Sequence, residues 1–215
     1  MTGDSACVIA VFAKAAIAGR VKTQLIGELG ADGAARLHRA LVRQALQTAL
    51  AADVGTVQLW RSEADTDLAR IAAELDVEMQ MQCTGDLGQR MAHAFGVLLP
   101  QGRRVILVGS DCPSRMQQDF RDACALLTRG SDAVLGPTED GGYHLIALRS
   151  VHPELFAGVE WGTTSVMEQT RARLRAAALH WDELPMRWDI DRPADLARLL
   201  ADPLYAQLAV ELART

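Results

Sequence analysis

Apolar runs of strand length alternate with longer stretches of helical periodicity from residue 6 to residue 136. The runs predict strands at Ala6–Ala13, Gly55–Trp60, Val77–Gln82, Val105–Val108 and Asp132–Gly136. Apolar residues spaced three and four apart predict helices at Ala31–Asp53, Asp65–Leu75, Asp86–Leu99 and Met116–Thr128. Apolar strands that alternate with helices are typical of a mostly parallel sheet covered on both faces.

The pattern after residue 136 departs from strict alternation. A strand is expected at Tyr143–Leu148 and a helix at Thr164–Ala178, and Met186–Ile190 is expected to return to the sheet. Terminal helices are predicted at Pro193–Leu200 and Leu204–Ala213. Because the chain has 215 residues and no repeat or linker, we expect one α/β domain over residues 1–215.

Composition narrows the class of protein. Hydrophobic residues make up 49% and charged residues 23%, which is ordinary for a soluble globular protein. The net charge of -5 argues against a general nucleic-acid binder but leaves room for a local site for small anions. No apolar run approaches the roughly 20 residues of a membrane span. Scattered cysteines at 7, 83, 112 and 124, without a signal-peptide pattern, predict reduced thiols and a cytoplasmic location.

Unusual polar segments follow three of the predicted strands, at the edge of the sheet where open α/β folds bind ligands. The first segment places Lys14, Arg20 and Lys22 around Gly19 in a loop. Three cations and free backbone N–H groups suit a di- or triphosphate, although no Walker motif is present and a solvated basic loop is an equal alternative.

The second segment, Gly109–Pro113, places Asp111 directly after the most apolar strand. A carboxylate held there by a turn is well placed to bind Mg²⁺ or Mn²⁺, and the alternative is an N-cap for the helix near Met116. The neighbouring Cys112 has no visible base, and we interpret it as a packed thiol.

The third segment, Gly136–His144, carries Glu139 and Asp140 before two glycines. Glycines let a ligand or a backbone approach closely, but a Glu-Asp pair before two glycines is also typical of a plain reverse turn. The anchored loop favours a functional interpretation.

A fourth cluster lies at Trp188–Asp195. If its first residues are extended, Asp189 and Asp191 point the same way. Asp191 is a candidate metal ligand or, alternatively, an N-cap of the helix that starts at Pro193. The histidines at 38 and 93 and the four tryptophans are interpreted as packing or surface residues, whereas the Thr163 and Thr164 hydroxyls could face an acceptor.

These segments together resemble a known family, the GT-A-like nucleotide-diphospho-sugar transferases described as radical-SAM/selenodomain-associated glycosyltransferases, which is related to the cofactor guanylyltransferase CofC. The matching stretches run in order from residue 11 to residue 196: VFAKAAIAGRVKTQL, GDLGQRM, VGSDCPSRM, DAVLGPTEDGGYHLIAL, LFAGVEWGTTSV and DIDRPADL. The resemblance implies a three-layer, Rossmann-like GT-A fold with a mostly parallel mixed sheet.

The resemblance also implies roles for residues. The phosphates of a nucleotide would lie on Gly19, Arg20 and Lys22, with Lys14 nearby, and a divalent metal, Mg²⁺ or Mn²⁺, on Asp111 and Asp191. Glu139 or Asp140 would act on the acceptor. The remaining residues implied are those facing the nucleotide, Gly85, Asp86 and Arg90, and those facing the acceptor, Gly141, Gly142, Tyr143 and Thr163.

Two positions depart from the family pattern. Gln24 stands where the family commonly has an arginine, which removes a cation from the phosphate loop. Glycosyltransferases of this fold typically carry D-x-D, whereas this chain has the single Asp111, which looks more like a nucleotidyltransferase.

Three functions follow as hypotheses. The leading one is metal-dependent transfer of a sugar from a nucleotide-diphosphate donor to a small acceptor. The second is nucleotidyl transfer from a nucleoside triphosphate, as in a CofC-like guanylyltransferase. The third is a nucleotide-binding protein that has lost catalysis, for which Gln24 is the supporting feature. The sequence does not indicate an oligomeric state.

Overall fold

A seven-stranded sheet forms the centre of the structure, a computed structural model that describes residues 7–101, 103–206, 208 and 210. The strands are β1 Cys7–Ala13, β2 Gly55–Arg61, β3 Glu78–Met81, β4 Arg104–Gly109, β5 Ala133–Pro137, β6 Tyr143–Leu148 and β7 Trp181–Glu183. Their order is β3-β2-β1-β4-β6-β5-β7, and β6 runs antiparallel to both of its neighbours. All other pairs of adjacent strands are parallel.

The helices between the strands cover both faces of this sheet. Their bounds are α1 Ile26–Ala52, α2 Thr66–Glu74, α3 Leu87–Leu98, α4 Gln117–Arg129, α5 Val166–Ala176 and α6 Pro193–Ala201. Alternate residues of β1 join separate cores: Ile9 and Val11 pack in the core that contains α1 and α4 residues, and Val8 and Ala10 pack in the core that contains α3 and α5 residues. This period of two produces the three layers and confirms the predicted α/β class with a mostly parallel mixed sheet.

Most of the predicted elements are confirmed with ends that move by a few residues, which is the usual uncertainty of helix and strand boundaries. The first helix starts at Ile26 instead of Ala31, with a break at Gly30, whose φ is 68°. The Leu204–Ala213 prediction lies partly outside the described residues, and its start is a short 3-10 helix at Pro203–Tyr205.

The predicted return of Met186–Ile190 to the sheet is wrong. The position beside β5 is taken by β7, a three-residue edge strand that is too short and too polar to give an apolar signal. Of the 186–190 segment, Arg187 alone forms a bridge, to Thr138 just beyond the end of β5.

The carboxyl ends of β1 to β5 and the start of β6 lie at one edge of the sheet, because β6 is antiparallel to its neighbours. The loop of Lys14–Lys22, the Asp111 turn and the 138–142 loop therefore share this edge. In the part of the chain that the structure describes, no helix is long and apolar enough to cross a bilayer.

Candidate active site

Three connected spaces open at this edge of the sheet. The main cleft, of about 590 Å³, is lined by residues that include Lys14, Arg20, Lys22, Arg90, Asp111 and Asp191. The acidic cleft, of about 570 Å³, is lined by residues that include Glu139, Asp140, Gly141, Thr163, Asp189 and Asp191. The inner cavity, of about 200 Å³, is lined by residues that include Asp111, Arg115, Tyr143, His144 and Asp189. Asp111, Asp189 and Asp191 each line two of the three spaces.

Lys22 connects the two predicted metal ligands. Its Nζ lies 2.6 Å from Asp111 Oδ1 and 3.0 Å from Asp191 Oδ1, and it also donates to the carbonyl of Ile190. Burial alone would lower the pKa of Lys22, but the two carboxylates outweigh it and raise the pKa above its usual value. Lys22 is therefore a fixed cation at the centre of the site.

The two carboxylates meet because their segments bind each other through backbone groups. The N–H of Ile190 donates to the carbonyl of Asp111 at 2.9 Å. Ser114 Oγ receives the N–H of Trp188 and donates to the carbonyl of the same residue. These bonds hold a segment near the C-terminus against the turn after β4.

Neither aspartate has the capping role left open as an alternative. The N-terminus of α4 is capped by Asp119, whose carboxylate accepts the N–H of Met116. At α6 the carboxylate of Asp195 accepts the N–H groups of Asp191 and Arg192. The side chains of Asp111 and Asp191, each about half exposed (48% and 49%), are left for the clefts.

Asp189 adds a third carboxylate that the sequence pattern names without giving it a role. Burial, together with the nearby carboxylates of Asp140 and Asp191, raises its pKa to about 7. Conversely, burial would raise the pKa of Asp111, but Lys22 and His38 hold it below the usual value. The edge is thus rich in negative charge, with one buried ammonium among the carboxylates.

The loop after β1, which brings Lys14 and Arg20 to the main cleft, is held by separate contacts along its length. Arg20 forms two hydrogen bonds with Glu63, at 2.8 and 3.3 Å, in an exposed ion pair. The Lys14 carbonyl accepts a hydrogen bond from the buried His38, which fixes the start of the loop. Gly19 adopts a left-handed backbone (φ 81°) and supports the turn without lining the cleft itself.

At the far side of the main cleft, Asp86 and Arg90 separate in role. Asp86 accepts the N–H of Gln89 and caps α3, and it does not line the cleft. Arg90 lines the cleft and donates to Oε1 of the buried Gln82. Gln82 in turn donates to the carbonyls of Ala13 and Trp60. This amide network orders the cleft wall.

In the acidic cleft, Glu139 and Asp140 are held differently. Glu139 pairs with Arg198 of α6 at 2.9 Å. Asp140 Oδ1 accepts from Thr138 Oγ1 at 2.6 Å and from the N–H of Gly142 at 3.0 Å. The loop is therefore a turn with an ordered carboxylate, which combines the two interpretations left open by the sequence.

The predicted acceptor residues fall into two places. Gly141 and Thr163 line the acidic cleft, whereas Tyr143 lines the inner cavity. Thr163 Oγ1 donates to the carbonyl of Glu160. Gly142 supplies the N–H that holds Asp140.

Residues 45–163, more than half of the chain, match DUF2064, a family described as an uncharacterized protein conserved in bacteria. The chain belongs to the DUF2064 family. No curated protein matches it.

Solved structures similar to this DUF2064 member confirm the predicted resemblance. A protein from Desulfovibrio desulfuricans G20, provisionally named a nucleotide-diphospho-sugar transferase, is 31% identical over 97% of both chains, with a TM-score of 0.82. The 4-diphosphocytidyl-2C-methyl-D-erythritol synthase of Anaerococcus prevotii DSM 20548 is 13% identical over 96% of this chain and 97% of that chain, with a TM-score of 0.63.

A glycosyltransferase shares the fold as well. The glucosyl-3-phosphoglycerate synthase of Mycobacterium tuberculosis, solved with Mn²⁺, uridine diphosphate and glucosyl-3-phosphoglycerate, is 13% identical over 96% of this chain and 80% of that chain, with a TM-score of 0.53. At this level of identity the likeness concerns the fold alone.

Several residues of the DUF2064 site carry no distinctive sequence signal. His38 and Trp161, interpreted from sequence as packing or surface residues, both line the main cleft. Asp189 faces the acidic cleft and the inner cavity. The alternation of Asp189 and Asp191 along one extended segment is the signal that could have assigned a role to Asp189.

The donor set fits a hard divalent cation. The Oδ1 atoms of Asp111 and Asp191 converge on one point, now contacted by Lys22, and both side chains are half exposed. No group of three or more His, Cys, Asp or Glu residues within the described ranges forms a complete metal cage. Half-exposed carboxylates are donors of the kind that Mg²⁺ takes, usually one or two at a time, with water and phosphate oxygens completing its shell.

Proposed function

We propose that this DUF2064 protein transfers a sugar from a nucleotide-diphosphate donor to a small acceptor. The carrying observation is the Lys22 ammonium held between Asp111 and Asp191 at the carboxyl edge of the sheet. Nucleotide-dependent transfer is the activity named for the similar structures, both glycosyl- and nucleotidyltransferases, and supports the proposal at that coarser level.

The main cleft is the candidate donor site. Its volume of about 590 Å³ lies within the usual range for small-molecule pockets. Lys14, Arg20, Lys22 and Arg90 line it, so the phosphates would meet positive charge on several sides. As negative charge grows on the departing diphosphate, Lys22 stabilises it without reorganisation because its position is already fixed.

Asp111 and Asp191 would hold the divalent metal. When bound, Mg²⁺ or Mn²⁺ neutralises charge on the diphosphate leaving group. The two aspartates orient Lys22, and their negative charge attracts a cation to the site.

The acidic cleft is the candidate acceptor site. Asp140 is the better candidate for the general base, because two hydrogen bonds to Oδ1 orient its carboxylate at the cleft wall. Glu139 is held in an ion pair by Arg198 and serves rather to fix the loop against α6. A hydroxyl of the acceptor would lose its proton to Asp140 as it attacks the sugar.

Nucleotidyl transfer is the second candidate, favoured by the pairing of one aspartate after β4 with an aspartate from a distant segment. The ion pairs that the cleft cations already form favour the diphosphate donor instead. Arg20 is paired with Glu63 and Lys22 with two carboxylates, which leaves less positive charge for a triphosphate.

Thermal stability with Mg²⁺ or Mn²⁺ and a panel of nucleotide-diphosphate sugars and nucleoside triphosphates separates these functions. A ligand at about 100 times its dissociation constant stabilises the folded state by ~2.7 kcal/mol, and each kcal/mol raises the midpoint by roughly 2–4 °C in a domain of this size. A metal-dependent shift with one sugar nucleotide supports glycosyl transfer, and a shift confined to triphosphates supports nucleotidyl transfer.

Turnover of the stabilising donor then tests the aspartates. We expect Asp111→Asn to fold normally but to lower nucleotide release by about 100-fold or more, since a charged group acting on the transition state is removed. Asp122→Asn, on α4 and lining neither cleft, is the matched control and should keep full turnover. Unchanged turnover in Asp111→Asn would overturn the assignment, and binding without turnover in the unaltered protein would indicate a nucleotide-binding protein that has lost catalysis.

A further inference from the structure

Buried polar atoms without a hydrogen-bond partner concentrate at the inner cavity. Of five such side-chain atoms among the described residues, three belong to residues that line it: Asp111 Oδ1, Arg115 Nη1 and His144 Nε2. Asp111 Oδ1 forms an ion pair with Lys22. His144 Nε2 packs against Gly136, where an added Cβ would lie 2.4 Å from this nitrogen. Arg115 Nη1 has no such neighbour among the described residues.

The Arg115 side chain is directed by one neighbour. It is 5% exposed, Nε donates to His144 Nδ1 at 3.2 Å, and Nη2 donates to the His144 carbonyl at 2.8 Å. These two bonds use the Nε edge of the planar guanidinium and leave the Nη1 side free. Arg115 therefore has a fixed orientation with donors to spare.

The positive charge of Arg115 has no carboxylate partner. Within the described residues, no carboxylate oxygen lies within 4.0 Å of its guanidinium, and the neighbouring Asp119 is held by two hydrogen bonds to Arg187. An arginine keeps its charge in proteins, and a buried charge without a direct ion pair is costly. Such a group is stabilised when an anion enters beside it.

The cavity limits what that anion can be. Its volume of about 200 Å³ admits a molecule only somewhat larger than benzene, and Phe12, Met91 and Leu107 give it apolar walls. Asp111 and Asp189, which also line it, repel a dianion such as phosphate more strongly than a monoanion. Arg115 lines neither cleft, so the anion reaches it only within this cavity.

We propose that Arg115 binds a small organic carboxylate in the inner cavity, with the short apolar body of that molecule against Phe12 and Leu107. The carboxylate group belongs either to the acceptor of the transfer, which rests on the proposed function, or to a separate small anion, which does not. The same site accommodates both, and the experiment below distinguishes them.

The test is thermal stability at constant ionic strength and pH in acetate, propionate or 2-hydroxypropionate, with chloride and inorganic phosphate as reference anions. We expect a saturable rise in the midpoint with at least one carboxylate and a smaller one with phosphate. Arg115→Met should weaken the response about tenfold, and Arg115→Lys should retain part of it, because a point charge replaces a planar fork. If the unaltered protein shows no saturable response to any carboxylate, the proposal is overturned.

Arg121→Met is the matched control. Arg121 also donates to backbone carbonyls, those of Ala51 and Ala52, but lies outside the cavity. The control should keep the full carboxylate response, and an equal loss in both variants overturns the site. If Arg115→Met does not fold, saturation in the unaltered protein and its reduction in Arg115→Lys still decide the matter.

Nucleotide release from the stabilising donor identifies the source of the carboxylate. The carboxylate belongs to the acceptor if two results are found: nucleotide release requires 2-hydroxypropionate, and Arg115→Lys raises the KM for 2-hydroxypropionate by a larger factor than it lowers kcat. If release is indifferent to the carboxylate, a separate anion occupies the cavity. A protein that binds carboxylates but no nucleotide would refute the transferase function and leave the Arg115 site standing.

Discussion

At the scale of single residues, Lys22 combines two costs that only its site explains. Its backbone is left-handed (φ 47°), which is uncommon for a residue with a side chain, and its side chain is 4% exposed. Strained backbone tends to persist where the surrounding structure fixes it for function. The contacts to Asp111 and Asp191 supply that constraint.

His144 makes stability depend on pH. Burial, together with the guanidinium groups of Arg115 and Arg187, lowers its pKa to about 2. The unfolded chain binds a proton at this histidine below about pH 6.5 and the folded chain does not, so the free energy of unfolding falls as the pH drops below that value. The slope is at most about 1.4 kcal/mol per pH unit for one histidine, and the lowered pKa of His38 acts in the same direction.

Urea unfolding between pH 5 and pH 7.5 measures this slope. His144→Gln should flatten it, because the amide oxygen can still accept from Arg115 but takes up no proton. His93→Gln, which alters an exposed histidine, serves as the control. An identical slope in His144→Gln and the unaltered protein would contradict the prediction.

At the scale of elements, the loop between β5 and β6 is fixed by the close approach of Gly141 to the segment before α5. Gly141 has φ 89°, and a Cβ there would lie 2.2 Å from the Thr164 carbonyl oxygen. Its own carbonyl accepts the N–H of Met167. The position of Asp140 thus depends on contact between two loops.

Gly141→Ala should therefore destabilise the protein by about 1–3 kcal/mol and reduce turnover, because the loop must move away from Thr164. Gly130→Ala is a matched control, since Gly130 also has a positive φ (118°) but its Cβ would meet nothing within 4 Å. Chemical denaturation and nucleotide release measure both effects. Equal losses in the two variants would show that backbone strain alone, and not the contact, sets the cost.

At the scale of the whole molecule, the strand β1 belongs to the cores on both faces of the sheet. Phe120 lies in one core and Phe95 in the other, both at most 1% exposed. Because the two cores share the central strands, we expect them to unfold together as the single domain predicted from the sequence.

Phe95→Ala and Phe120→Ala should each lower the free energy of unfolding by about 3–5 kcal/mol in one shared transition. Circular dichroism and tryptophan fluorescence, followed together during denaturation, check whether the transitions coincide. A variant in which one probe changes well before the other would divide the chain into two units.

Local patterns were enough to predict the order and type of most elements. The alternation of apolar strands with amphipathic helices indicated the α/β class, and polar residues after β1, β4 and β5 indicated the edge of the sheet that carries the candidate site. Both signals are properties of neighbouring residues, since periodicity and strand ends are written within a few positions of the chain. The edge strand β7 escaped because three residues carry too little periodicity.

The sequence by itself determined which carboxylates and cations reach that edge, because strand direction carries them there. Only the tertiary structure decided which groups meet: Lys22 pairs with Asp191 across 169 positions, and Arg115 is buried with no carboxylate of the described residues in direct contact. Contacts at such separations arise from the packing of loops that local periodicity does not encode. Burial then sets their chemistry. In water the lysine would have no fixed position, and water would solvate the charge of the arginine in place of an anion.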